Sequence, residues 1–310
     1  ECPNKKYKTT FRAIDGNGKE VKGISISIQR NDEKQYTAQS SKPIYLYDGE
    51  YTASCTVDNM QVQQDFKVND GASTITLQAV PYIASGQCGD NLTWTLDQNG
   101  LLTISGTGNM DDYENAGYQP WYYFGEEINS IDVHEGVTSI GDSAFDNCSS
   151  VETVRLAKSV KSIGTNAFWG CAMSELIIPD GVEVIGDYAF VRCYNLFSIT
   201  IPDSVISIGE YAFNECQELE SVKISKGVAN IGVGAFGQCN GLKKIEVADE
   251  NASYSSKDNV LFDKDMNTLL QYPGGISGSY DVPNGVVSIN KDAFFHSMVT
   301  NVNLSGSVET

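Results

Sequence analysis

The stretch VISIGEYAFNEC, residues 205–216, is one of several nearly identical segments in this chain of 310 residues. Aligning the chain on itself gives the template L-x-x-I-x-I-x-x-x-V-x-x-I-G-x-x-A-F-x-x-C, which recurs every 22 to 23 residues. A unit this short cannot bury its own apolar face. The period therefore predicts a solenoid, in which each unit forms one coil and packs against the next.

The copies of the template differ in completeness. The third copy is one residue short, the sixth is interrupted by residues 248–285, and the seventh is cut off by the chain end. Within the interruption, NVLFDKDMNTLLQYP predicts a hairpin that projects from the solenoid. The seven copies begin at Ile128, Val151, Met173, Leu196, Leu219, Leu242 and Val299.

The template also predicts the structure of one coil. Its I-x-I part alternates as a strand does, whereas Gly followed by A-F-x-x-C indicates a bend that leads into a short helical turn. Each coil should therefore contribute one strand and about one turn of helix. Equivalent side chains of successive coils should stack, and one internal column is expected from Phe168, Phe190, Phe213 and Phe236.

Five of the eight cysteines share one template position, which predicts a column of buried free thiols. Parallel Cβ vectors disfavour a disulfide, because a disulfide needs a dihedral angle near 90°. Cys2 and Cys55 lie outside the column and are equally compatible with a disulfide and with two free thiols. The column consists of Cys148, Cys171, Cys193, Cys216 and Cys239.

The negative charge is confined to one part of the chain. Residues 1–80 hold ten Lys or Arg and ten Asp or Glu, whereas residues 81–310 hold eleven and thirty, so the net charge of −19 belongs to the second part. Such a surface repels polyanions, so we expect neither nucleic acid nor an anionic membrane as a partner. The sequence contains no run of eighteen apolar residues, so we do not expect a membrane-spanning helix within it.

The segments IGDSAFDNC, IGTNAFWGC, IGDYAFVRC and IGEYAFNEC resemble the BspA-like leucine-rich repeats of bacterial cell-surface proteins. The segment CGDNLTWTLDQNGLLTISGTGNMDDY resembles the sequence that precedes such repeats, and the resemblance covers about residues 84–310. It implies a right-handed leucine-rich-repeat solenoid of the α/β-horseshoe type, secreted or displayed on the cell surface, that serves adhesion or the binding of host molecules. It supplies no catalytic residues.

The first 80 residues alternate apolar and polar positions between Gly, Asn and Asp turns, which predicts an all-β, immunoglobulin-like sandwich. Three pieces of this segment are similar to carboxypeptidase-regulatory-like and Cna-B-like modules: D-G-x-G at residues 15–18, V-x-G-I-x-I at 21–26 and L-x-D-G-E-Y-T at 46–52. The predicted organisation is a sandwich at 1–80, a linker and N-terminal cap hairpin at 81–127, and the solenoid at 128–310 with a hairpin insertion at 248–285.

Aromatic residues outside the template are the candidate binding residues, since an exposed aromatic patch marks a binding surface. The alternative is that they pack over neighbouring coils. The first group is Trp169, Tyr188, Tyr194, Phe197 and Tyr211. The second group is a ligand platform or else the core of the cap, and consists of Tyr118, Trp121, Tyr122 and Tyr123.

Catalytic and metal-binding patterns are weak. The chain has two histidines and no hydrolase or phosphate-binding motif, so we expect neither an enzyme nor a cofactor. The pairs Asp111 with Asp112 and Glu126 with Glu127 suggest a glycosidase only remotely, because adjacent carboxylates point in different directions. Asp263, Asp265 and Asn267 begin as a calcium loop does, but Gly and Glu are missing later, which favours a plain turn.

The function predicted from the sequence is therefore non-catalytic binding or adhesion, at the bacterial cell surface or outside the cell. The expected partner is a protein or a glycan of the host or of a neighbouring cell. A structural spacer within a larger surface protein is the alternative.

Overall fold

The computed structural model describes residues 6–14, 19–30, 34–57, 60–69, 71–78 and 82–309. Two compact units are present, Glu1–Ile83 and Ala84–Thr310. Their secondary structure is almost entirely β: the described residues contain no α-helix and one turn of 3-10 helix, Tyr122–Phe124. Accordingly, no helix in the described part is long and apolar enough to cross a membrane.

The first unit is built from two sheets. In one, β1 pairs antiparallel with β2 and β5 and parallel with β8; in the other, the strand order is β4-β3-β6-β7, all antiparallel. The strands are β1 (Lys6–Ile14), β2 (Glu20–Val21), β3 (Ser25–Arg30), β4 (Gln35–Gln39), β5 (Pro43–Tyr47), β6 (Gly49–Val57), β7 (Met60–Val68) and β8 (Ser73–Gln78).

One hydrophobic core joins both sheets of this unit. Phe11 and Leu46 come from the first sheet, Ile28 and Tyr51 from the second, and all four are buried. The Tyr51 ring stacks on that of Phe66, with the ring centres 5.5 Å apart. The alternation of the sequence is therefore realised as two β-layers, whereas a relationship to immunoglobulin-like modules stays a prediction. Cys55 is buried, and Cys2 lies outside the described residues.

The second unit contains the repeats, and its strands are short. They are β9 (Tyr82–Gly89), β10 (Leu92–Asp97), β11 (Leu101–Gly106), β12 (Gly108–Asn109), β13 (Ser130–Val133), β14 (Val137–Ile140), β15 (Thr153–Arg155), β16 (Ser162–Ile163), β17 (Val184–Ile185), β18 (Ser198–Thr200), β19 (Ser207–Ile208), β20 (Ser221–Ile224), β21 (Asn230–Ile231), β22 (Lys244–Val247), β23 (Tyr254–Lys257), β24 (Val260–Asp263), β25 (Thr268–Gln271), β26 (Gly278–Asp281), β27 (Ser288–Ile289) and β28 (Val299–Asn303).

Each complete coil has two strand positions. The I-x-I strands pair in parallel from coil to coil, and the register joins equivalent residues, as Val222 with Ile245 in β20 and β22. The isoleucine before the template glycine forms a second parallel ladder that runs through β12, β14, β16, β17, β19 and β21. Ile163, Ile185 and Ile208 are successive partners in it. This second ladder was not predicted from the sequence.

The predicted helical turn is absent, which corrects the sequence analysis. Every A-F-x-x-C segment is a series of turns with residues at positive φ, such as Asn147 at 60° and Arg192 at 60°. Its backbone also bonds outward. The Phe168 N–H donates to the Ala189 carbonyl of the next coil at 2.8 Å, and the Phe190 N–H donates to Ala212 at 2.7 Å. A helix would use these groups within its own segment.

The phenylalanines form the predicted internal column. All are buried, and the ring centres of Phe168, Phe190, Phe213 and Phe236 are successively 5.4, 5.1 and 5.6 Å apart. The interplanar angles between them are 3°, 10° and 11°. Phe145 extends the column by one ring, 5.2 Å from Phe168.

Trp121 closes this column at its first coil. Its ring stacks on Phe145 at 5.5 Å and its indole N–H donates to the Ala144 carbonyl at 2.9 Å. Trp121 is 0% exposed, so it is part of the cap core and not of a ligand platform. Beside it, β10 and β11 pair antiparallel and form the predicted cap hairpin, with its turn at Asn99 and Gly100.

The cysteine column has a structural role. The Cys193 thiol donates to the Phe168 carbonyl at 3.2 Å, and the thiols of Cys216 and Cys239 donate to the equivalent carbonyls of Phe190 and Phe213. All five thiols are free and buried. Burial raises the pKa of Cys193 to about 12, so its thiol stays protonated at neutral pH and keeps the hydrogen to donate.

The interrupted sixth repeat turns out to contain a coil of its own. β24 and β25 form the predicted hairpin, but Val260 and Phe262 are buried, so the hairpin packs on the unit where a projection was expected. Leu269 then pairs in parallel with Ile289, and the Tyr272 N–H donates to the Ala293 carbonyl at 2.8 Å. Tyr272 thus occupies the place of a template phenylalanine.

Phe190→Ala should lower the free energy of unfolding by about 3 to 5 kcal/mol, because the vacated ring leaves a cavity between two stacked neighbours. Phe197→Ala is the matched control: Phe197 is 52% exposed and its loss should cost about 0.5 kcal/mol or less. Urea unfolding followed by circular dichroism measures both. If both variants lost the same free energy of unfolding, the phenylalanine column would not be the core of the unit.

Candidate functional site

The first group of predicted binding residues is divided by the structure. Trp169, Tyr188 and Tyr211 lie in three successive coils and contact one another; we call them the aromatic column. The Tyr188 and Tyr211 rings stack at 5.4 Å with an interplanar angle of 14°, and Trp169 lies 6.3 Å from Tyr188. All three are partly exposed. The column is therefore accessible to a partner from solvent.

Polar partners hold both ends of the aromatic column. The Arg192 guanidinium lies over the Trp169 ring at 5.6 Å, and its Nε–H donates to Glu215 Oε2 at 3.1 Å. At the other end the Tyr211 hydroxyl donates to Asp292 Oδ2 at 3.1 Å, and this hydrogen bond raises the pKa of Tyr211. The column is consequently ordered before any ligand arrives.

Gly234 makes the reach of Tyr211 possible. Gly234 lies in the coil that follows that of Tyr211, and a Cβ added to it would be 2.5 Å from the Tyr211 ring. The absence of a side chain there lets the ring extend across this coil.

The backbone under the two tyrosines is unusual. Tyr188 and Tyr211 have φ of 56° and 53°, a region that bulky residues rarely occupy. Holding a residue other than glycine there costs about 1 to 3 kcal/mol, and a stacked aromatic pair contributes only about 0.5 to 1.5 kcal/mol. Stability alone therefore gives no reason for two tyrosines. The equivalent positive-φ positions of four other coils hold short residues, namely Ser143, Asn166, Gly234 and Asp292.

The remaining candidates do not join this surface. Tyr194 and Phe197 are 43% and 52% exposed, and neither ring contacts the aromatic column in the part of the chain that is described. In the cap, Tyr122 and Tyr123 touch edge to face with their ring centres 5.4 Å apart, and Tyr118 is exposed as well. We call the ring pair of Tyr122 and Tyr123 the cap patch.

The acidic candidates are occupied by structural contacts or lie apart. Asp263 accepts a hydrogen bond from the Thr268 N–H at 3.0 Å, as in a plain turn. Asp112 accepts one from the Asp142 N–H at 2.9 Å and so ties the cap to the first coil. Within the described ranges, no group of three or more His, Cys, Asp or Glu side chains is arranged to hold a metal ion.

Comparison with known families gives a clear result for the repeats. Residues 119–243 and 184–265 match the sequence profile of the BspA type leucine rich repeat region, in six copies. This part of the chain is a BspA-type leucine-rich-repeat region. No curated protein sequence shows a significant match.

Solved structures with similar folds are bacterial leucine-rich-repeat proteins. A leucine-rich repeat protein from Eubacterium ventriosum is 28% identical, with a TM-score of 0.67 over 73% of this chain and 61% of its own. A leucine rich cell surface protein from Faecalibacterium prausnitzii is 22% identical, with a TM-score of 0.48 over 74% of this chain and 78% of its own. The chain thus spans about three fifths of the E. ventriosum protein, and that similarity supports the leucine-rich-repeat solenoid.

Replacing Tyr188 separates backbone strain from ring stacking. Tyr188→Asn should change the free energy of unfolding by less than about 1 kcal/mol, because asparagine tolerates positive φ and offsets the lost stacking. Tyr188→Val should cost about 1 to 3 kcal/mol, because a β-branched residue is strained there. Urea unfolding of both variants measures this. If asparagine costs as much as valine, the strain argument is wrong.

Proposed function

We propose that this protein is a non-catalytic binding protein that acts at the bacterial cell surface or outside the cell, and that the aromatic column binds a partner protein. The observation that carries the proposal is the pair of stacked tyrosines at positive φ, at a position where four other coils hold short residues. Backbone strain that side-chain packing does not offset indicates that the two tyrosines serve a function. The BspA-type repeats support the location and the adhesive role.

A protein partner fits the aromatic column better than a glycan does. Sugar rings stack on open aromatic faces, but Tyr188 and Tyr211 cover each other, and Arg192 covers one face of Trp169. What remains partly exposed is the three aromatic side chains and two acidic ones, Glu215 and Asp292. Tyrosine and arginine in partly desolvated settings are the residues that protein interfaces favour.

The electrostatic character of the unit restricts the partner. Residues 81–310 carry the entire net charge of −19, so a partner with a basic surface should associate faster and more tightly. This contribution should weaken as the ionic strength rises.

Binding screens on arrays of extracellular proteins and of glycans test the proposal, with the double variant Tyr188→Asn, Tyr211→Asn beside the wild type. We expect protein hits whose affinity falls at least about tenfold in the double variant, a change of about 1.4 kcal/mol. Tyr122→Asn, Tyr123→Asn is the matched control, because it also removes two exposed phenols and should retain the hits.

Three outcomes would redirect the proposal. Hits that the column variant retains and the cap variant loses would move the site to the cap patch. Hits confined to glycans would contradict a protein partner. No hits from well-folded protein would favour a structural spacer.

A further inference from the structure

A break in the first strand ladder lies at the third coil. Two residues separate Cys148 from Val151 and Cys193 from Leu196, but only Ala172 lies between Cys171 and Met173. The shortened connection displaces the start of the third coil relative to its neighbours. Residues 173–178 consequently form no strand and make one isolated bridge, Glu175 with Ser198.

The break leaves one edge of β15 without a partner strand. Between other coils, a regular hydrogen bond joins equivalent backbone groups: Glu152 N–H donates to the Asn129 carbonyl, Phe197 N–H to Ser174 and Glu220 N–H to Phe197. The equivalent bond from Ser174 N–H to the Glu152 carbonyl is missing. Across residues 82–309, no backbone hydrogen bond joins 152–156 to 173–178.

The two coils remain joined elsewhere. In the second ladder Ile163 pairs with Ile185, and the Phe168 N–H reaches the Ala189 carbonyl. The break is therefore local to the first ladder and leaves the phenylalanine column intact.

A groove of ≈ 430 Å³ occupies the break. The residues of β15 line the groove, and so does the apolar side chain of Ile177, which is 82% exposed. Phe197, 52% exposed, belongs to the next coil and is tied to the groove through its N–H bond to the Ser174 carbonyl. The groove is lined by Glu152, Thr153, Val154, Arg155, Leu156, Ser174, Glu175 and Ile177.

The charge at the groove selects its occupant. Arg155 is paired with Asp132 at 3.8 Å, whereas Glu152 and Glu175 have no ion pair within the described part of the chain. Two uncompensated carboxylates favour a cationic ligand. An unpaired strand edge favours a ligand with its own backbone N–H and C=O groups.

We propose that an extended peptide with alternating apolar and basic residues binds here by adding a strand beside β15. Its backbone replaces the missing bond at the Glu152 carbonyl, its apolar side chains cover Ile177 and Phe197, and its Lys or Arg side chains pair with Glu152 and Glu175. β15 has three residues and is about 10 Å long, so the peptide contributes three to four residues to the pairing. The site is separate from the aromatic column and does not depend on it.

A peptide of defined design tests strand addition directly. An acetylated, fluorescently labelled octapeptide of alternating valine and lysine serves as the probe, and fluorescence anisotropy measures its dissociation constant. An acidic peptide with glutamate in place of lysine should bind at least about tenfold more weakly. A lysine peptide N-methylated at alternate valines, which lacks those backbone donors, should lose affinity to the same extent.

The protein variants localise the site. Insertion of one serine between Ala172 and Met173 restores the period, so the ladder should close and binding should fall at least about tenfold. Its circular dichroism and urea unfolding should match or exceed those of the wild type. Ile177→Ser should weaken binding without a change in folding, and Ile206→Ser, which alters an exposed isoleucine outside the groove, should leave binding unchanged.

Hydrogen exchange supplies a second readout: the peptide should slow amide exchange within residues 152–156. Three results would overturn the proposal: no binding of the lysine peptide by the wild type, equal binding of the N-methylated peptide, or equal binding by the protein with the inserted serine.

Discussion

The repeat unit depends on one interaction, the hydrogen bond that four successive template phenylalanines donate from their N–H to the alanine carbonyl of the next coil. It forms at 2.7 to 2.8 Å for Phe145, Phe168, Phe190 and Phe213. These bonds hold successive coils about one strand spacing apart, and the ring separations of 5.1 to 5.6 Å in the phenylalanine column follow from it. The close spacing also explains the recurrent glycine, because a Cβ at Gly209 would lie 2.4 Å from the Asp187 nitrogen.

A backbone that bonds between coils leaves the turns free of helical geometry. Positive φ then recurs at two positions of each complete coil, two residues before the phenylalanine and two residues after it. At the first of these positions most complete coils hold a short residue. The third and fourth coils hold Tyr188 and Tyr211 there, so the same backbone rule that builds the core also displays the candidate binding surface.

The sequence was sufficient to predict what repeats. The template places one phenylalanine and one cysteine in each coil, and equivalence between coils gives the internal column and the buried thiols. It misled about the A-F-x-x-C segment, because apolar spacing of this kind also suits a helix and says nothing about which carbonyl each N–H reaches. Trp121 was ambiguous for a related reason: an aromatic residue outside the template looks the same in sequence whether it caps a core or meets solvent.

Where the repeat period is broken, the structure was harder to predict from the sequence. The missing residue before Met173 is visible in the sequence, but the groove it opens depends on which ladder the shortened connection disrupts. Tyr272 takes the place of a template phenylalanine although no A-F precedes it, because pairing of Leu269 with Ile289 restores the register. Contacts between coils, and not the local sequence, determine both the groove at the third coil and the position of Tyr272.

Native-state hydrogen exchange of the backbone amides tests the central interaction most directly. The amides of Phe145, Phe168, Phe190 and Phe213 should be among the slowest in residues 84–309 and should exchange only through global unfolding, whereas the amide of Ser174, which lacks its inter-coil bond, should exchange far faster. Exchange of the phenylalanine amides as fast as that of the exposed Tyr122 and Tyr123 would contradict the account.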